Sequence, residues 1–107
     1  NKLSYDEFQK YCDENNIPLD MRGKVVPRMK ELIQISMSSV KKVLNQNDRK
    51  HCFEVFGYDF FIDSELNVWL IEVNTNPCLE ESCPLLGSII PRMLDDAFKL
   101  TVDVLFP

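Results

Sequence analysis

The chain has 107 residues, 45% of them hydrophobic and 27% charged, which is ordinary for a single small globular domain. Its net charge of -5 and its lack of Lys and Arg clustered among aromatics argue against a nucleic-acid-binding surface. No apolar run approaches the roughly 18 residues that a membrane span needs. Residues 1–4 lack the hydrophobic segment of a signal peptide. The chain does not begin with Met, so we expect it to be part of a longer protein.

The four cysteines form no C-x-x-C pair, and the single histidine cannot complete a zinc site of the Cys/His kind. We therefore expect reduced thiols in a cytoplasmic protein. A bridge between Cys78 and Cys83 is the alternative.

Residues 4–15 are predicted to form the first helix. Ser4 can cap it, and Glu7 stands three residues later, which is the pattern of a capping box. The sequence before Pro18 should end the helix, because a residue that precedes proline avoids the α conformation. The apolar face predicted for this helix consists of Tyr5, Phe8, Tyr11 and Cys12.

A longer helix is predicted from about Val25 to Leu44, with Pro27 tolerated in its first turn. Apolar residues recur along this helix at helical spacing, so we expect other parts of the protein to pack against it over its whole length. The main positions of this stripe are Val25, Met29, Leu32, Ser36, Val40 and Val43.

A last helix is predicted from about Ile90 to Val104, with Pro91 near its start and Pro84 opening a separate short turn. Its predicted apolar face is Ile90, Met93, Leu94, Ala97, Phe98, Thr101, Val104 and Leu105, and its polar side is Asp95, Asp96, Lys99 and Asp103.

Between the long helices, residues 52–79 predict two β-strands joined by a polar turn. If Asp63 pairs with Val68 across the four residues 64–67, Asp59 opposes Glu72 on the neighbouring strand. The same register sets Phe61 opposite Leu70 and Gly57 opposite Asn74. Side chains alternate along a strand, so one face carries Phe53, Val55, Gly57, Asp59 and Phe61 with Val68, Leu70, Glu72 and Asn74, while Asp63 and Asn67 serve the turn.

Opposed carboxylates such as Asp59 and Glu72 would lie with their Cβ atoms about 5 Å apart and repel each other. Either one of them is protonated, or a divalent cation lies between them. Asn74 adds a neutral oxygen to the same face, and this oxygen set suits Mg²⁺. Gly57 would leave room for a ligand there. The alternative interpretation is that Asp59 and Glu72 bind no metal and are simply solvated or paired with basic residues. The other face, expected to pack against helices, carries Phe56, Tyr58, Phe60, Ile62, Trp69, Ile71 and Val73.

Residues 53–60 (FEVFGYDF) and 69–77 (WLIEVNTNP) resemble, in order and spacing, a C-terminal catalytic segment of the tubulin–tyrosine ligase-like family, which belongs to the ATP-grasp ligases. The resemblance implies an α+β fold, in which an antiparallel β-hairpin flanked by helices forms the C-terminal portion of an ATP-grasp domain. Residues 1–107 would then be part of one catalytic domain. The family's metal ligands map onto Asp59, Glu72 and Asn74. In related ATP-grasp enzymes the apolar residue before the metal-binding Glu lines the adenine pocket. That residue would be Ile71, although simple alternation places Ile71 on the other face.

The resemblance also implies an enzyme that uses ATP and Mg²⁺ to activate a carboxylate as an acyl phosphate, which an amine attacks to form an amide or isopeptide bond. Family members join tyrosine, glutamate or glycine to tubulin tails. The implied partners are a tubulin C-terminal tail or microtubule and a free amino acid, with no nucleic acid or membrane. The implied location is the cytoplasm and cytoskeleton, including cilia and basal bodies.

The family's nucleotide-binding lysines precede the matched segment, so this chain alone is expected to be inactive. Two alternatives remain open at this point. One is another ATP-grasp carboxylate–amine ligase, such as a small-molecule peptide ligase. The other is a non-catalytic remnant that acts as an interaction module.

Overall fold

The computed structural model describes residues 2–107 as an α+β fold. A two-stranded antiparallel sheet lies between helices, so the predicted fold class is confirmed. No helix in this part of the chain is both long and apolar enough to cross a membrane. The elements are α1 (Tyr5–Glu14), a π-helical turn (Met21–Val25), α2 (Val26–Leu44), β1 (Gly57–Ile62), β2 (Val68–Asn74), α3 (Pro84–Leu100) and α4 (Val102–Leu105).

The first helix begins with the predicted capping box. The Glu7 N–H donates to Ser4 Oγ at 3.2 Å, and the Ser4 N–H donates to Glu7 Oε2 at 2.7 Å. The hydrogen bond from the Ser4 backbone is the main cause that lowers the pKa of Glu7. The helix ends at Glu14, and Asn16 beyond it has a φ of 55° that lets the Ile17 N–H reach the Cys12 carbonyl at 2.9 Å. The helix thus ends just before the residues 15–18 that were predicted to end it, and the left-handed Asn16 turns the chain there.

The core lies where α1, the π-helical turn and the start of α2 meet. Gln9 ties these segments together: its amide donates to the Leu19 carbonyl and accepts from the Met21 N–H, both at 2.7 Å. Tyr5 and Tyr11 are 47% and 51% exposed, so only half of the apolar face predicted for α1 is buried. The buried core residues are Cys12, Leu19, Met21 and Val25, with Phe8, Ile17, Val26, Met29, Ile62, Leu66 and Val68 packed around them.

The second helix is preceded by a π-helical turn that the sequence analysis missed. Asp20 caps this turn by accepting the Gly23 N–H at 2.9 Å. Pro27 lies in the first turn of α2, as predicted. The predicted packing is found only along the first half of α2, since Val40 and Val43 are 39% and 58% exposed.

The last long helix begins at Pro84, earlier than predicted, and Pro91 lies inside it. Proline is a favoured first residue of a helix, so Pro84 starts this helix rather than a separate turn. Thr101 interrupts it, and its hydroxyl donates to the Ala97 carbonyl at 2.7 Å. The polar side is exposed as predicted, and an ion pair with Asp95 raises the pKa of Lys99.

The hairpin has the predicted pairing at its base and a different pairing at its tip. Gly57 opposes Asn74 and Asp59 opposes Glu72, whereas Ile62 pairs with Val68. Residues 63–67 therefore form the turn, one residue more than predicted. A β-bulge at Ile71, opposite the step from residue 59 to residue 60, absorbs the extra residue.

The bulge changes which residues of β2 face α2. Leu70 opposes Phe60 rather than Phe61, and both are half-buried. Trp69 opposes Phe61 and is 59% exposed, while Ile71 is 61% exposed. The prediction that Trp69 and Ile71 pack against helices was wrong, because strict alternation does not continue through a bulge.

The first strand is also shorter than predicted. It begins at Gly57, so Phe53 and Val55 precede the sheet. The Phe53 ring instead meets Phe98 of α3 edge to face, with ring centroids 6.4 Å apart. On the packed side of the hairpin, the Tyr58 hydroxyl lies 2.8 Å from Ser36 Oγ and links β1 to α2.

Candidate functional site

The three residues predicted as metal ligands lie together on the face of the hairpin that is turned away from α2. Strand β1 supplies Asp59, and strand β2 supplies Glu72 and Asn74. The Asn74 side-chain amide donates to Asp59 Oδ2 at 2.9 Å and to Glu72 Oε1 at 3.4 Å. The structure thus joins the three side chains through one amide group.

The two carboxylates are exposed and carry like charges on opposed positions. Within residues 2–107, no Lys or Arg forms an ion pair with either of them. Like charges directly opposite each other weaken a hairpin. Among the described residues, the Asn74 amide is thus the one side-chain partner of the two carboxylates, and both are also open to solvent.

The oxygen atoms of this set fit a hard divalent cation. Among residues 2–107, no group of three or more His, Cys, Asp or Glu side chains could hold a metal ion. A cation between Asp59 and Glu72 would therefore take the rest of its ligands from an amide, from water or from a bound anion. Mg²⁺ is usually held in this way, through one or two carboxylates plus water and phosphate oxygens.

The space beside Gly57 is not open to a ligand, and that prediction was wrong. A Cβ atom on Gly57 would come within 3.0 Å of Pro77 Cβ and 3.6 Å of Asn74 Cβ. Pro77 fills the space because the chain folds back over the start of β1 after leaving the sheet. Gly57 is thus explained by this close approach, which the sequence signal of a proline soon after β2 could have suggested.

Ile71 lies on the same face as the carboxylates. Side chains alternate along a strand, so Ile71 points outward because its neighbour Leu70 is half-buried against the helix. Glu72 also points outward, because it lies two residues from Asn74 on the open face. The bulge therefore places two consecutive side chains on one face. Phe61 and Trp69 continue this face toward the hairpin tip, with 56% and 59% of their surfaces exposed. The open face therefore combines an anionic oxygen cluster with an adjoining apolar surface.

Asp63 organises the turn, as predicted, and also holds Trp69. Its Oδ1 accepts the backbone N–H groups of Glu65 and Asn67 at 2.9 and 2.8 Å, and its Oδ2 accepts the Trp69 indole N–H at 2.9 Å. The Trp69 hydrogen bond is the main cause that lowers the pKa of Asp63. The sequence analysis missed this contact, because the added bulge and longer turn bring Trp69 to the outer face.

A groove of about 650 Å³ lies between the start of α2 and the hairpin tip. Its lining includes Lys24, Arg28, Leu32 and Leu70 but none of Asp59, Glu72 and Asn74. The carboxylate pair therefore belongs to an open sheet face and not to this groove. An open face of this kind can serve as one wall of a site.

The fold and the site together define the kind of surface that this chain presents. A hairpin has one side packed on a helix and the other side presenting two opposed carboxylates, an amide and adjoining apolar residues. Such a surface is suited to a hydrated divalent cation that carries an anionic ligand with an apolar part.

Comparison with known proteins agrees with the resemblance noted in the sequence. The family model described as "Tubulin-tyrosine ligase family" matches residues 1–107. The chain belongs to this family. No solved structure matches it.

Among its relatives, "Probable tubulin polyglutamylase TTLL9" of Rattus norvegicus is 51% identical over 76% of this chain and 17% of its own length. "Tubulin glycylase 3D" of Tetrahymena thermophila is 38% identical over 96% of this chain and 10% of its own length. "Protein monoglycylase TTLL8" of Homo sapiens is 27% identical over 96% of this chain and 12% of its own length. The chain thus spans less than a fifth of the length of each of these relatives.

Proposed function

We propose that this chain is the metal-binding part of an ATP- and Mg²⁺-dependent ligase that joins an amino acid to the C-terminal tail of tubulin. The observation that carries the proposal is the opposed pair Asp59 and Glu72, bridged by Asn74, on the open face of a hairpin in a chain of the tubulin-tyrosine ligase family. The printed names of the relatives favour glycine or glutamate over tyrosine as the added amino acid. The proposed place of action is the microtubule in the cytoplasm.

Asp59 and Glu72 would hold Mg²⁺ from two strands, and the Asn74 side chain would complete the protein's share of the ligands. With ATP bound, Mg²⁺ would offset the charge that builds up as a phosphoryl group passes to the substrate carboxylate to give an acyl phosphate. The hairpin's part is to fix the spacing of the two carboxylates. A two-stranded ladder with its far side packed on α2 is suited to this, because backbone pairing sets their separation.

Ile71 would contact the apolar part of the nucleotide. Its side chain lies beside Glu72 on the open face and is 61% exposed. An apolar residue in this position can cover the base while the carboxylates hold the metal at the phosphates. This role extends the ligand set of the site to Asp59, Glu72, Asn74 and Ile71.

The proposal predicts that Asp59→Asn or Glu72→Gln in the intact protein lowers ligation on the order of 100-fold or more, because loss of one charge at the metal weakens stabilisation of the transferring phosphoryl group. The measurement is ATP-dependent incorporation of labelled glycine, glutamate or tyrosine into tubulin. Labelled amino acid supplied without tubulin tests for a small-molecule acceptor.

Glu65→Gln is the matched control for this experiment. It removes one exposed carboxylate from the same hairpin, at a residue of which only the backbone N–H forms a hydrogen bond here. Full activity in Glu72→Gln would overturn the assignment of the metal site. No activity with any of the three amino acids, in unmodified protein that binds no ATP with Mg²⁺, would instead favour a non-catalytic module.

A further inference from the structure

The groove between the start of α2 and the hairpin tip has a basic wall. Lys24 and Arg28 line it, and no acidic residue of the described chain does. Arg28 is paired with Glu31 at 2.6 Å, whereas Lys24 forms no ion pair within residues 2–107. Two cations on the same wall repel each other, and an anion in the groove would relieve this repulsion.

The floor of the groove is apolar. An inorganic anion gains nothing from such a floor, whereas a peptide that carries both acidic and apolar side chains contacts the wall and the floor together. The volume of about 650 Å³ is also in the range of ligand-binding pockets. The apolar lining consists of Val25, Leu32, Leu66, Val68 and Leu70.

The groove runs along the outer edge of β2. It is lined by three consecutive residues of this strand, Val68, Trp69 and Leu70, and by none of β1. Successive side chains of a strand lie on opposite faces, so a groove that touches all three lies at the strand's edge. Within residues 2–107 the sheet has two strands, and this edge of β2 has no partner strand there. The unpaired N–H and C=O groups of a strand edge are a template for an extended peptide.

We propose that this groove binds an extended acidic segment of a polypeptide. The segment lies along the outer edge of β2, pairs with its backbone, and turns its carboxylates toward Lys24 and Arg28. An apolar side chain of the segment packs on the floor between Leu32 and Leu70. Charge, floor and strand edge together favour a peptide over any other anion.

The position of the groove relates it to the proposed ligase. Its near end, at Leu70, is two residues from Glu72, which is about 7 Å along a strand. A polypeptide anchored in the groove would therefore extend from the hairpin tip toward the candidate metal site. In this respect the inference rests on the proposed function, because the bound segment would belong to the acceptor. Peptide binding itself requires neither Mg²⁺ nor ATP.

The test measures binding of a short fluorescein-labelled peptide, made of glutamates with one central phenylalanine, to the intact protein. Fluorescence anisotropy is recorded in EDTA and without ATP. The variants are Lys24→Gln and Glu31→Gln, with Lys30→Gln as the matched control. Lys30 is an exposed cation of α2 that lines a different groove, beside Tyr58. Two further peptides, one with glutamine for glutamate and one with an N-methylated backbone, test the charge and the strand pairing.

Lys24→Gln should weaken binding roughly two- to fivefold, the effect of losing one exposed ion pair. Glu31→Gln should strengthen binding by a similar factor, because it releases Arg28 from its ion pair. A gain of affinity cannot come from a loss of folding, so the two variants together exclude misfolding as the cause. Lys30→Gln should leave the affinity unchanged. The glutamine peptide and the N-methylated peptide should each bind on the order of tenfold more weakly, since each loses several contacts at once.

Equal binding by Lys24→Gln and the unmodified protein, or an equal loss in Lys30→Gln, would overturn the groove as the binding site. Undiminished binding of the N-methylated peptide would overturn the pairing with β2. Tighter binding of a labelled single-stranded RNA, weakened in Lys24→Gln, would overturn the choice of a peptide as the ligand.

Asp59→Asn separates this inference from the proposed function. This variant should lose ligation and keep its full affinity for the acidic peptide. An unmodified protein that binds the peptide as expected but ligates no amino acid would overturn the proposed function alone. One that ligates an amino acid to tubulin but does not bind the acidic peptide would overturn the groove alone.

Discussion

At the scale of single residues, Asp63 shows how one carboxylate holds a turn and an aromatic side chain together. Its two oxygens accept from two backbone N–H groups, the Asn67 amide and the Trp69 indole. All of these donors favour the ionised form, and the pKa of Asp63 lies below its ordinary value of 3.8 in consequence. The contribution of Asp63 to stability must therefore depend on pH.

The direction of this dependence follows from linkage. A carboxyl group whose pKa is lowered by folding stabilises the protein above the pKa of the unfolded chain, and loses that contribution as the pH falls through the folded value. Asp63→Asn should thus be less stable than the unmodified protein at neutral pH, and the difference should shrink once the pH drops below about 3.8. Urea unfolding followed by circular dichroism over this range measures the difference.

Glu65→Gln again provides the comparison, because the Glu65 side chain takes no part in the turn's hydrogen bonds. The free energy of unfolding of this variant should follow that of the unmodified protein at every pH. A gap between Asp63→Asn and the unmodified protein that stays constant from neutral pH to pH 2 would contradict the role given to the ionised carboxylate.

At the scale of elements, the β-bulge decides which of two neighbouring residues supports the fold. Leu70 is half-buried against α2, whereas Ile71 is 61% exposed on the open face. Truncating a half-buried Leu should cost about 1–2 kcal/mol, and truncating an exposed Ile under about 0.5 kcal/mol. Denaturant unfolding of Leu70→Ala and Ile71→Ala in the intact protein measures both.

The order of these two costs is the informative result. A regular strand without the bulge would turn Ile71 toward α2 and Leu70 outward, so a larger loss of stability in Ile71→Ala would show that the strand has no bulge. The KM for ATP should show the opposite order of effects for these two variants. If Ile71 contacts the nucleotide, Ile71→Ala raises the KM for ATP while Leu70→Ala leaves it unchanged.

The elements also show what could be read from the sequence. The capping box of α1, the position of Pro27 and the pairing of Asp59 with Glu72 were all predicted, because each depends on a short-range pattern. The five-residue turn and the bulge were not predicted. Together they give the same pairing of Asp59 with Glu72 that a four-residue turn without a bulge would give. The space beside Gly57 was misjudged because Pro77 reaches it through the tertiary path of the chain.

The ends of the helices were less predictable for a related reason. Helix α3 begins at Pro84 and continues through Pro91, although the pattern favoured a start near the second proline. The loss of one hydrogen bond at Pro91 is outweighed by the continuous helix around buried Ile90. Local propensity could not reveal that balance.

At the scale of the whole molecule, the described chain buries little of its apolar surface. A compact protein of 12.5 kDa exposes about 6,200 Å², whereas this chain exposes 8791 Å². Its radius of gyration of 16.6 Å exceeds the value of about 13 Å typical for this length. Large apolar side chains are exposed on the second half of α2, on the open sheet face and on α4.

We therefore expect residues 1–107, expressed alone, to unfold in a broad transition of low cooperativity. The slowest amide hydrogen exchange should occur around Cys12, Leu19 and Val25, because these residues are buried. Exchange measured by NMR or mass spectrometry checks this. Equal protection along β2 would contradict it, since β2 has one open face.

Trp69 gives the open face a property of another kind. It is the single tryptophan of the chain, its ring is 59% exposed, and its indole N–H is tied to Asp63. Indole emission shifts with solvent contact and with nearby charge. Trp69 is therefore an intrinsic fluorescent reporter for the hairpin, because any molecule that covers this face would change the indole emission.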